Sequence, residues 1–372
     1  MRARIKYGPG ASDVGFLSSR LVAARRAMES EDEPAPLFRD GLAGALVGRR
    51  IMRAARAGAA AGRPGIDAAA GGGTGAGGGG RRRAAVSRIA ARTLWFDAEV
   101  EGAVAGAATS RVKVGLEVGS SQAGRPVRVT IAPATHAPAT QGVCLGAGMD
   151  TRAWRPLEGA GGLAWFEVDA GRVLRAKAVA LAAARAEAPS WGGVAVTHTA
   201  AGPAPAAAPS PFPLTVRSYA ALEADLGVPG WGGRLVRECR FDASAPAVFL
   251  AEGLVMYLTA PGVASLLSEA ASIAAPGSIL AVVAATEAAA QAARARSGGR
   301  GIMAAWTWGC PQDPAALWAA HGWAVEAVVT RSDIARRWGL AWTEFPVAPA
   351  APGGRGRVER ESLFIVAVRA RQ

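Results

Sequence analysis

The sequence predicts a doubly wound α/β domain built on a seven-stranded, mainly parallel sheet, and three observations lead there. Seven short apolar runs recur after residue 140, several are rich in β-branched residues, and helical patterns separate many of them. Short runs that are apolar throughout, rather than alternating, suit strands covered on both faces. Helical stretches between such runs make parallel crossovers the natural connection.

The runs are "GVCL" at 142–145, "LAWFEV" at 163–168, "GVAVTH" at 193–198, "PAVFLAE" at 246–252, "SILAVVAA" at 278–285, "WAVEAVV" at 323–329 and "LFIVAV" at 363–368. "AGRVLRAKAVALAAARAEA" is a representative helical stretch between them. Upstream, "SDVGFLSSRLVAARRAM" at 12–28 places Val14, Leu17, Leu21, Ala24 and Met28 on one helical face, with Ser12 or Asp13 as cap. A second short helix is expected within 36–48 and a third at 84–100, where Arg88 and Arg92 share a face. Between them lies a glycine-rich segment, about 58–83, whose ordering costs much entropy and buries little, so a flexible insertion is expected. It lacks the Lys-Ser or Lys-Thr pair that closes a phosphate-binding loop. Stretches 119–140 and 200–213 read as further loops. The expected organisation is an N-terminal helical cap over 1–110 and a ligand-binding domain over 111–372.

Composition narrows the partners. The formal charge is +13, yet the cations are scattered and almost all arginine, Lys6, Lys113 and Lys177 being the only lysines. A basic surplus without interleaved aromatics gives bases nothing to stack on, so neither nucleic acid nor a membrane is expected as a partner. Cys144, Cys239 and Cys310 stand far apart and form no CxxC pair, which predicts neither disulfides nor a metal site and fits a reducing, cytoplasmic compartment. No apolar run approaches the roughly 20 residues that span a bilayer. The basic opening "MRARIKYGPGAS" leaves room for a short targeting segment.

The chemistry concentrates in "QGVCLGAGMDTRAWRP" at 141–156 and "LAWFEVD" at 163–169. Gly146 and Gly148 end the first run, where backbone without a Cβ lets a ligand approach. Asp169 ends the second, where a carboxylate can accept from both hydroxyls of a ribose. A nucleoside-bearing cofactor follows. The dinucleotide fingerprint wants a third glycine where Thr151 stands, and Asp150 would repel a pyrophosphate. A cationic sulfonium with an amino-acid tail tolerates such carboxylates, which favours S-adenosyl-L-methionine over NAD.

The segments "QGVCLGAGMDTRAWRP", "WFEVD" and "VFLAEGLVMYL" resemble the motifs of the leucine carboxyl methyltransferase superfamily, in particular its branch of S-adenosyl-L-methionine-dependent methyltransferases. The likeness extends over most of 12–285, with the glycine-rich segment and the loops near 120–140 and 200–213 as insertions. It implies a class I, Rossmann-like methyltransferase fold and a cofactor site assembled from seven residues. Arg92 would pair with the methionine carboxylate, Gly146 and Gly148 would line the methionine and ribose, and Asp169 would hold the ribose. Asp225 and Leu226 would flank the adenine, and Glu252 would lie near the cofactor's amino group.

The resemblance leaves the acceptor open between a carboxylate and a hydroxyl, on a small molecule or a peptide. Arg152 and Arg155 have two readings, a hold on the acceptor or a surface cap, while Tyr257, Trp306, Trp308 and Trp323 either wall the acceptor or fill core. His136, His198 and His321 read as structural or exposed, so no catalytic base is assigned. The alternatives are an NAD-linked dehydrogenase and a non-catalytic cofactor-binding protein. A serine hydrolase is excluded, since no GxSxG elbow occurs.

Overall fold

The computed structural model describes residues 11–31, 36–60, 87–106, 136–187, 209–299, 301–338 and 362–370. Its strands are β1 (Gln141–Leu145), β2 (Ala164–Asp169), β3 (Ser218–Glu223), β4 (Ala247–Ala251), β5 (Ile279–Ala285), β6 (Trp323–Thr330) and β7 (Ser362–Arg369). They form one sheet in the order β3-β2-β1-β4-β5-β7-β6. The first five pair in parallel, and β7 runs antiparallel to both β5 and β6. Six of the seven expected runs coincide with strands. The run at 193–198 lies outside the described residues. The strand beside β2 is "SYAALE", which carries only four buried residues between exposed ends and no β-branched side chain.

The central strands are apolar because both faces are covered. Successive residues of β4 alternate between two cores: Val248 and Leu250 enter one, while Ala247, Phe249 and Ala251 enter the other. Phe249 is fully buried, worth about 1.5–3 kcal/mol relative to exposure. On the first face lie α1 (Ala11–Ser30), α2 (Gly41–Val47), α4 (Arg88–Ala105) and α5 (Gly171–Ala183). On the second lie α6 (Trp231–Cys239), α7 (Ala260–Ile273) and α9 (Ala315–Ala320). The remaining helices are α3 (Arg49–Ala60), α8 (Glu287–Ser297) and α10 (Arg331–Arg337).

Local chemistry sets the helix ends. Ser87 caps α4 by accepting from Ala90 N–H at 3.0 Å, and Gly106 closes it in the left-handed conformation. Inside α4, Trp95 meets Phe364 of β7 edge to face at 5.1 Å, which seats the helix on the sheet. Asp40 caps α2 through Ala43 N–H. Helix α1 bears out part of the expected apolar face and corrects the rest: Ala24 is buried and Met28 packs against the core, whereas Leu17 is 47% exposed and Ala23, Arg26 and Ala27 are buried beside Ala24. The buried stripe is lined with small residues and one ion-paired arginine, so hydrophobicity alone misplaces its centre. Helix α3 was not anticipated, and it runs to Ala60, the edge of the glycine-rich segment, most of which lies outside the described residues.

This order fixes where a ligand can go. From β1 the chain moves outward through β2 and β3, then returns to place β4 on β1's other side. The crevice at the carboxyl ends of β1 and β4 is therefore the switch point. The residues leaving those strands are Gly146 and Glu252.

Candidate cofactor site

A cavity of ≈ 610 Å³ opens at this crevice, within the range usual for small-molecule sites. Arg92, Gly146, Gly148, Asp169, Asp225, Leu226 and Glu252 all line it. Sequence positions spread over α4 and the ends of β1, β2, β3 and β4 thus converge on one space.

The β1 loop turns on its glycines. Gly146 has φ +70° and Gly148 φ +53°, a region that costs a residue with a Cβ about 1–2 kcal/mol. A Cβ on Gly148 would lie 2.6 Å from the Ser19 Cβ, and one on Gly146 would lie 3.0 Å from Leu254 Cδ1. Asp169 holds this loop: its Oδ2 accepts from Gly148 N–H at 2.7 Å and its Oδ1 from Ala170 N–H at 2.6 Å. Burial pushes the Asp169 carboxyl up, against the pull of those two backbone donors. Each of its oxygens keeps a further lone pair for a ligand hydroxyl.

Behind the loop no α-helix follows. The chain makes short 3₁₀ turns at Arg152–Trp154 and Ala160–Gly162 before β2 begins. A pyrophosphate needs a helix N-terminus at this point, and none is there.

On the opposite side, Arg92 donates Nε–H to Glu252 Oε1 at 2.8 Å. Its terminal nitrogens have no partner among the described residues, and the side chain lines the cavity. Their planar fork matches a carboxylate. The second Glu252 oxygen pairs with Arg152 Nη2 at 2.9 Å. Burial opposes charge on Glu252, but Arg152 and Arg92 hold its carboxyl below the usual range.

Arg152 and Arg155 differ from both expected readings. They are 2% and 4% exposed, so they cap no surface, and neither lines the cavity. Arg152 donates to Asp97 Oδ1 at 2.8 Å and to Asp150, while Arg155 pairs with the other Asp97 oxygen. Arg26 of α1 reaches Asp40 at 2.8 Å and the Met149 carbonyl, and Thr151 donates to the same Asp40 oxygen at 2.7 Å. Arg26, Arg92, Arg152 and Arg155 thus face Asp40, Asp97, Asp150 and Glu252, four charges of each sign in one buried network. Burial disfavours charge at Asp150, yet Arg152, Arg26 and Lys177 pull its carboxyl to about 2. Asp150, which also lines the cavity, therefore meets it with its charge already balanced by buried arginines.

Beneath the cavity, Lys177 donates to both oxygens of Glu167, at 2.7 and 2.6 Å, and Tyr219 O–H donates to Glu167 Oε2 at 2.7 Å. The trio joins α5, β2 and β3. Nothing in the sequence marked it, because Tyr219 lies 52 positions from Glu167 and Lys177 sits on a separate element from both.

Asp225 is exposed, with Oδ1 accepting from Gly227 N–H at 2.9 Å, and Leu226 is buried beside it. Glu223, at the tip of β3, also lines the cavity and was missed. Phe16, Met303 and Trp306 supply an apolar wall, and Tyr257 lies there with its hydroxyl 3.3 Å from Ser18 Oγ. Trp308 and Trp323 are core. His136 is tied to Glu326 and His321 to Ser268, both away from the cavity, and His198 lies outside the described residues. No group of metal-ligating side chains occurs among the described residues. No described helix is long and apolar enough to cross a membrane.

The leucine carboxyl methyltransferase family model matches residues 125–271, a span that includes the glycine loop, Asp169, Asp225, Leu226 and Glu252. Two relatives, from Mycolicibacterium paratuberculosis and Frankia alni, both carry the name "Putative S-adenosyl-L-methionine-dependent methyltransferase". The first is 34% identical over 150 residues, 40% of this chain and 37% of its own length. The second is 28% identical over 191 residues, 51% of this chain and 56% of its own length. The chain therefore matches about a third to about half the length of these relatives. A crystal structure of a DUF574 family protein from Streptomyces avermitilis is 13% identical at a TM-score of 0.42, covering 76% of this chain and 84% of that one. Outside the leucine carboxyl methyltransferase match lie Arg26, Asp40, Arg92 and Asp97, the half of the ion network that comes from the N-terminal helices.

Proposed function

We propose that the protein is an S-adenosyl-L-methionine-dependent methyltransferase acting on a carboxylate or hydroxyl oxygen of a small molecule or peptide. The observation that carries this reading is the pairing of two features at the switch point. Carboxylates from three strand tips face a cavity that also presents the terminal nitrogens of Arg92, without a partner among the described residues, and the glycine loop has no helix N-terminus behind it. The first suits a cationic, zwitterionic nucleoside, and the second argues against NAD.

The residues fit that cofactor. The Arg92 terminal nitrogens would take its carboxylate and Glu252 its ammonium, while Asp169 would accept from the ribose. Asp225 and Leu226 would hold the adenine, and Gly146 and Gly148 would let backbone pass close to the ligand. The bound cofactor supplies a methyl group on a sulfonium whose thioether leaves without acid assistance. The chain then has two tasks, to hold an acceptor oxygen in line and to exclude water. A carboxylate acceptor needs no base, and none is assigned.

The test is calorimetry with S-adenosyl-L-methionine on the wild type and on Asp169→Ala. Micromolar binding, about 8 kcal/mol, is expected for the wild type, with a loss of well over tenfold in the variant. Undiminished binding by Asp169→Ala removes the site assignment.

A further inference from the structure

We infer that Arg152 is a positioning residue for the amino-acid end of the cofactor: it fixes the Glu252 carboxylate so that this end of the cavity selects ligands bearing an α-ammonium group. The inference rests on the methyltransferase reading above and adds a residue that touches no ligand.

Glu252 has one oxygen on Arg92 and the other on Arg152. Arg92 is the movable partner, since it makes one contact and lines the cavity. Arg152 is fixed. Its Nε holds Asp97 of α4, its Nη1 holds Asp150 of the glycine loop, its Nη2 holds Glu252, and its own backbone N–H donates to Asp150 Oδ1 at 2.7 Å. When a ligand carboxylate engages Arg92, Glu252 still has an anchor, and its Oε1 is left facing the cavity for an ammonium. Without Arg152, Glu252 has Arg92 alone, a partner that a ligand carboxylate also draws on, so nothing else fixes the position of its carboxylate.

The groups around Glu252 are Arg92 on α4, Arg152 and Asp150 in the glycine-loop turn, and Arg26 on α1. Burial opposes its charge, and Arg152 is the largest influence keeping it ionised. Loss of Arg152 therefore lets burial raise the carboxyl. Ammonium recognition then weakens as pH falls.

The test compares binding of S-adenosylhomocysteine with that of its analogue lacking the α-amino group. The wild type is expected to prefer the amine by at least about tenfold, independent of pH from about 8 to about 5. In Arg152→Gln the preference is expected to fall below about threefold. Because that variant leaves Asp97 and Asp150 short of a partner, at a cost to folding, Arg152→Lys provides the second arm. It should show a reduced preference that shrinks further toward acid pH. Asp97→Asn, which weakens the contacts of Arg152 Nε and of Arg155 while leaving Arg152 Nη2 on Glu252, should lower the melting temperature yet keep the preference. A folded Arg152 variant that loses affinity for both ligands equally, or that keeps the wild-type preference, overturns the inference. A wild type that binds both ligands alike overturns the inference alone, whereas one that binds neither overturns the methyltransferase reading and the inference with it.

Discussion

Substitution Gly148→Ala tests whether the β1 loop is held against α1 as described. Two costs are independent. At φ +53° an alanine backbone is strained by about 1–2 kcal/mol. Its Cβ would also stand 2.6 Å from Ser19 Cβ, a contact with no flexible chain end to swing aside, so overpacking adds about 1–3 kcal/mol. Together they predict a loss of about 2–5 kcal/mol. Ser19→Gly alone should cost about 0.5–1 kcal/mol, the usual penalty for glycine within a helix. Combining the two removes the clash but not the strain, so the double variant should be more stable than the sum of its parents by about 1–3 kcal/mol. Urea unfolding followed by tryptophan fluorescence measures all three. Strict additivity, or a Gly148→Ala variant as stable as the wild type, would show that the loop and α1 do not meet as described.

The buried trio and the ion network give two more expectations. Lys177→Met should cost about 3–5 kcal/mol by stranding Glu167, and Lys177→Met/Glu167→Gln should recover most of it; thermal melts that rank the double variant no better than the single one refute the pairing. Acid should also weaken the fold through Asp150. Its folded carboxyl lies near 2 against an ordinary 3.8, so its contribution is fully present above the unfolded value and is lost as pH falls from about 4 to about 2, on the order of 2 kcal/mol. Glu252, also lowered, adds in the same direction, while Asp169 and Glu167, both raised, oppose it. Stability measured from pH 6 downward should drop more steeply in the wild type than in Asp150→Asn.

The parts of the fold legible in the sequence were those set by local pattern. Continuous apolar runs such as "VFLA" announced central strands. β3 escaped because its buried residues are Tyr, two Ala and Leu, which look no different from the surrounding alanine-rich helices. The strand-tip residues of the site were legible for a topological reason: a glycine or an acid directly after an apolar run must lie at the sheet's carboxyl edge. The ion network was not. Arg152 and Arg155 carry no mark of burial in the sequence, because what buries them is Asp97, 55 and 58 positions earlier. Leu17 misled for the converse reason: an apolar side chain at helical spacing stays exposed when the facing surface is built to receive Arg26.

That network also bears on how the protein can be shortened. A chain beginning at residue 107 would keep Asp150, Arg152, Arg155 and Glu252 while discarding Arg26, Asp40, Arg92 and Asp97. The sheet would survive on paper with its ligand crevice floored by stranded ions, and water or misfolding would take the place of the missing helices. The segment ahead of the sheet is thus half of the floor on which the crevice stands.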